Sequence, residues 1–114
     1  MSKKPETVFK ERIYPQLLAL PSSFWEKIQQ VGKRGTPDFL GCVNGVFVAL
    51  ELKKDEKEKP DELQTYKLMR IRKAKGVTFV VTPENWQDVY LKLLKLSSQE
   101  IVLELGVRKP EKLQ

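Results

Sequence analysis

The sequence has 114 residues, 40% of them apolar, with one cysteine and no histidine. That length suits one domain able to bury about two-thirds of its unfolded surface, and it excludes two independent domains. Lys and Arg number 21 against 15 Asp and Glu, a formal +6 that points to polyanionic partners, while the lack of histidine excludes His-based triads, His-ligated zinc and imidazole acid–base catalysis.

Cys42 has no second cysteine to pair with, and no basic segment followed by an apolar one opens the chain. No apolar run approaches the ~18 residues that cross a bilayer. The expectation is a cytoplasmic protein with no membrane span. Residues 53–96 carry 11 basic and 7 acidic side chains and hold most of the positive excess. On charge alone, a solubilising surface and a phosphate-binding one are both open.

Met1 to Lys4 reads as a short basic tag. A helix is predicted from near Glu6, with Phe9, Ile13, Leu17 and Leu20 at helical spacing and an end by Pro21. Pro15 lacks a backbone donor and should kink or break it. Phe24 to Val31 reads as an edge strand, followed by a basic, turn-rich loop from Gly32 to Pro37. Asp38 to Val43 and Val46 to Lys53 read as two strands joined by Asn44-Gly45, the strongest short hairpin signal. A two-residue loop opposes Val43 to Val46, which sets Phe39 against Leu50, Gly41 against Val48, and Asp38 against Glu51. Alternation then puts Val46, Val48, Leu50 and Leu52 on a core face, and Phe47, Ala49, Glu51 and Lys53 on a face that turns polar at one end.

A charged loop leads to Asp61, a helix cap, and to a helix predicted to run to about Lys75 and to end at Gly76. Gln64, Leu68 and Ile71 share its sheet-facing stripe. Lys67, Arg70, Arg72, Lys73 and Lys75 add five positive charges with no acid between them. Val77 to Val81 reads as a buried parallel strand. Thr82-Pro83 opens a last helix with Trp86, Val89, Tyr90, Leu93 and Leu94 toward the core. The apolar run Ile101 to Leu105 reads equally as a strand, an interface or a loose tail.

Two like charges directly opposite on a sheet destabilise it, so Asp38 across from Glu51 calls for a compensating cation. A surface ion pair with Lys53 is one answer, without functional meaning. The other is Mg²⁺, which takes one or two carboxylates plus waters and phosphate oxygens.

Pro37-Asp38, twelve residues, then Glu51-Leu52-Lys53 resembles the PD-(D/E)XK nuclease motif. The run GTPDFLGCVNGVFVALELK, with Gln64 and Gly76 downstream, is similar to a stand-alone virus-type replication-repair nuclease (VRR-NUC) domain, over about residues 6–90. The resemblance implies an α/β, restriction-endonuclease-like αβββαβ core with a mixed central sheet flanked by helices. It implies an endonuclease that hydrolyses DNA phosphodiester bonds, is structure-selective, and serves replication, repair or recombination. Its cofactor would be Mg²⁺ or Mn²⁺, with no organic cofactor. Asp38, Glu51 and the Leu52 backbone carbonyl would be the metal ligands, and Lys53 would position or activate the attacking water or stabilise charge on phosphorus. Gln64 and Glu6 would line the catalytic site, with Glu11 on the same helix as the alternative to Glu6. Lys27, Lys33 and Arg34 would touch flanking phosphates of the DNA, or merely keep a loop soluble. The competing function is a basic DNA- or RNA-binding module that does not cleave. A homodimer is also expected, with Phe24, Trp25 and the Ile101 to Leu105 run as its apolar surface; the same residues could instead fold together within one chain.

Overall fold

Asn44 and Gly45 both adopt the left-handed backbone, with φ of 49° and 85°. That pair of angles gives a tight turn whose twist matches the strands on either side. In the computed structural model, which describes residues 3–28 and 35–99, the chain runs α1 (Pro5–Leu18), β1 (Ser23–Lys27), β2 (Phe39–Val43), β3 (Val46–Leu52), α2 (Glu62–Lys73), β4 (Val77–Val81) and α3 (Trp86–Ser98). The strands form one sheet in the order β1-β2-β3-β4. The first three are antiparallel and β4 runs parallel to β3, so the sheet is mixed and follows the expected αβββαβ order, with α3 added.

The hairpin register is the one its loop length dictates: Phe39 opposes Leu50, Gly41 opposes Val48, and Val43 opposes Val46. One sheet face carries Trp25, Phe39, Val43, Val48, Leu50, Leu52 and Val81. It packs against Phe9, Ile13 and Leu17 of α1 and Trp86, Val89 and Leu93 of α3. Burying this set supplies the main folding force. α2 lies on the opposite face, where Leu68 is buried and Arg72 donates to Thr78. Ala49, Glu51 and Thr78 on that face are therefore buried as well. The face of β3 expected to turn polar is polar in composition at Glu51 and Lys53, yet those two residues are buried, while Phe47 at its other end is exposed.

Four local expectations are corrected. α1 continues through Pro15 without a break. Pro15 and Glu11 are both exposed, so the Glu11 carbonyl that loses its helical partner can turn to water. Trp25 belongs to the core and not to an exposed surface: strand alternation sends Phe24 outward and Trp25 inward, over Gly41, where an added Cβ would lie 2.4 Å from the indole. The left-handed residue that ends α2 is Lys75, with φ 74°, and not Gly76. Lys75 N donates to the Arg72 carbonyl and Gly76 N to the Ile71 carbonyl, which is the Schellman pattern one residue early. Gly76 is needed for space, since a Cβ there would stand 2.6 Å from Ile71 Cγ2. Finally, α3 starts at Trp86, because Thr82 and Asn85 first close a turn on each other: Thr82 N donates to Asn85 Oδ1 and Asn85 N to Thr82 Oγ1. The edge strand β1 ends at Lys27, and residues 29–34 and 100–114, including the Ile101 to Leu105 run, lie outside the described residues.

Candidate active site

The site forms where β2 begins and β3 ends, at the edge of the hairpin remote from its turn. Asp38 precedes β2 and Glu51 is the penultimate residue of β3, so the register that seats Phe39 on Leu50 brings the two carboxyls together. Each carboxyl acts on the titration of the other. Asp38 is fixed from two further sides: Leu52 N donates to Oδ2 at 2.8 Å, and the Lys10 ammonium of α1 reaches Oδ1 at 2.8 Å. In an extended strand a residue's N–H and C=O project to the same side, so the Leu52 carbonyl is directed to the side from which Asp38 is held.

Glu51 is 2% exposed, and its Oε2 is buried with no hydrogen-bond partner. Burial, then the hydrogen bond with Asp38 and the charge of that neighbour, push its carboxyl up to about 9, against the opposing pull of Lys53. Burial also acts to raise Asp38, but hydrogen bonds from Glu51, Lys10 and the Leu52 amide outweigh it and hold that carboxyl below its ordinary value. One proton is therefore shared unequally: Glu51 keeps it and Asp38 carries the charge. A buried carboxyl with an orphaned oxygen is costly in a protein that does nothing with it.

Lys53, 8% exposed, follows β3 and places its Nζ 3.0 Å from Gln64 Oε1. The same oxygen accepts from Asp61 N at 2.9 Å, while Asp61 Oδ1 accepts from Gln64 N at 2.8 Å. Gln64 thus closes the capping box of α2 and anchors the lysine at once. Glu6, in the first turn of α1, is near enough to feel the charges of this centre. Burial raises its carboxyl, as does the charge of Asp38, while Lys53 and Lys10 oppose the shift. Glu11 points elsewhere, to Lys3 at 2.8 Å, and is about half exposed.

The structure therefore brings together Asp38, Glu51, the Leu52 backbone, Lys53, Gln64 and Glu6. The Lys27 ammonium lies 5.6 Å over the Tyr14 ring. Lys33 and Arg34 lie outside the described residues. Sequence reasoning missed Lys10. The available signal was its spacing, four residues after Glu6 and therefore on the same side of α1. Among the described residues no three His, Cys, Asp or Glu side chains are gathered to hold a metal by themselves. Two carboxylates and a carbonyl are nevertheless enough for a hard cation that retains most of its waters.

No protein-family model and no curated protein matches the chain. A search of solved structures finds a likeness to one described as "VRR_NUC domain", at 30% sequence identity and a TM-score of 0.66, covering 79% of this chain and 97% of that one.

Proposed function

Because the chain belongs to the VRR-NUC family, a nuclease domain on a restriction-endonuclease-like fold, we propose that it is a Mg²⁺- or Mn²⁺-dependent endonuclease acting on DNA phosphodiester bonds in replication, repair or recombination. The observation that carries this reading is Glu51, whose buried, unpartnered Oε2 stands beside an ionised Asp38. A hard divalent ion suits that donor set, with Asp38, Glu51 and the Leu52 carbonyl as its protein ligands. When bound, such an ion supplies Lewis acidity to a water and to the phosphate.

The chain's own residues do the rest. Lys53 presents an ammonium to a phosphate oxygen or to the attacking water, where it offsets the charge that grows on phosphorus. Gln64 restrains that ammonium through the 3.0 Å hydrogen bond, and the helix start holds Gln64 in turn. Glu6 adds a carboxyl to the wall of the site. Glu51 must give up its proton to act as a ligand, so loading with metal and loss of that proton are linked. A binding module that never cleaves would gain nothing from opposed carboxylates that repel phosphate.

The reading is tested by incubating the protein with branched, single-stranded and duplex DNA in Mg²⁺, in Mn²⁺ and in EDTA. Cleavage confined to the metal-containing reactions is expected, with unequal rates on the three DNAs as the sign of structure selectivity. Metal-dependent binding without any cleavage would replace the nuclease with a binding module.

A further inference from the structure

Asp38, the member of the carboxyl pair that carries the charge, has a cation beside it. Lys10 Nζ lies 2.8 Å from Asp38 Oδ1, and the two side chains are 24% and 15% exposed, so the pair sits at the rim of the site and is only partly screened. The other basic groups nearby are committed elsewhere: Lys53 to Gln64, and Lys27 to the Tyr14 ring. Asp38 Oδ2 is held by the backbone amide of Leu52, a donor fixed by β3. Oδ1 is held by the end of a flexible four-carbon stem. The two oxygens therefore differ in how easily they are released, and Oδ1 is the one that can change partner.

We propose that Lys10 is a stand-in cation, an ammonium that occupies Asp38 Oδ1 in the metal-free protein and yields that oxygen to the divalent ion. This rests on the nuclease reading above. A divalent ion on Asp38 would share an oxygen with an ammonium, and like charges that close repel. Loading thus costs the Lys10–Asp38 ion pair and sets the lysine free at the rim, where a phosphate backbone would meet it. The same pair offsets the charge of Asp38 before the ion arrives. Lys10 therefore weakens metal binding while it stabilises the empty site. A lysine that only props Asp38 in place would have the opposite effect on affinity, because its loss would disorder a ligand.

The test uses the full chain without DNA. Mn²⁺ affinity is measured by calorimetry, and melting temperature with and without Mn²⁺, for the wild type, Lys10→Met and Lys10→Arg. Met keeps the length of the stem and drops the charge. Lys10→Met should melt lower than wild type in EDTA, bind Mn²⁺ about threefold tighter or more, as loss of a partly buried ion pair implies, and gain more in melting temperature on adding the ion. Lys10→Arg should stay close to wild type. Equal or weaker Mn²⁺ binding by Lys10→Met, with wild type binding normally, overturns the stand-in role and leaves the nuclease reading untouched. Absence of Mn²⁺ binding in the wild type overturns both.

Discussion

Glu51→Gln tests whether the buried carboxyl holds its proton in the metal-free fold. Glutamine has the shape of the protonated acid and can donate to Asp38 as that acid does. Below the ordinary carboxyl value of 4.5, folded and unfolded wild-type chains both carry the proton, and the raised value costs nothing. Above it the unfolded chain releases the proton while the fold retains it, until about 9. Stability is therefore lost as pH rises through that window, at up to about 1.4 kcal/mol per pH unit. By pH 7 the ceiling is about 3 kcal/mol, and relaxation of the site reduces it. Asp38 behaves in the opposite sense: its lowered value contributes stability that is present at neutral pH and lost only as pH falls into the acid range. The raised Glu6 is common to both proteins and largely cancels in their difference. Urea unfolding of wild type and variant in EDTA, between about pH 5 and pH 8, should show the variant gaining on the wild type with each step in pH. Parallel pH profiles would mean that Glu51 is ionised in the empty site, and would remove the reason for its orphaned oxygen.

Gln64→Ala should lower stability by about 1 kcal/mol through loss of the capping box and should also slow cleavage, whereas Gln64→Glu, which keeps an acceptor for Lys53, should retain more activity; equal cleavage by Gln64→Ala and wild type would detach the glutamine from the site. DNA binding, followed by fluorescence anisotropy in Ca²⁺, should weaken steeply between about 50 and 200 mM salt and depend little on base sequence, since Lys and Arg contacts to phosphates release counterions; a salt-independent affinity would refute it. Sedimentation at micromolar concentration should show a homodimer, about twice the 13.2 kDa chain mass. With Trp25 in the core, Phe24 is the described residue of the expected dimer surface that stays exposed, at 63%, in one row of the sheet with Phe47 at 46%, and a single species at the chain mass would refute the dimer.

The hairpin was legible because Asn-Gly admits few turns, and a two-residue turn fixes every opposed pair. Asp38 and Glu51 could thus be set against each other from residue numbers alone. Gln64 was legible in its side of the helix, though not in its double use as cap and anchor, which depends on where α2 begins relative to Lys53. Lys10 was not legible, because one lysine on an amphipathic helix looks like any other until the angle of α1 against the sheet is known. Pro15 misled because a helix rule was applied without knowing which side faces water. Trp25 misled because an edge strand exposes a backbone edge, and that does not decide which side chains are exposed. Lys75 took the left-handed position expected of glycine because the next residue had to be glycine for a different reason, contact with Ile71.

The central claim is that Asp38 and Glu51, with Lys53 beside them, form a metal-dependent hydrolytic centre. Single-turnover cleavage of branched DNA in Mg²⁺ by wild type and Asp38→Asn tests it most directly, with melting temperature measured on both proteins to show that each is folded. The variant should be folded and slower by at least about 100-fold, the scale on which loss of one charge-stabilising group acts in catalysis. A folded Asp38→Asn protein that cleaves within about threefold of the wild-type rate would place the chemistry elsewhere.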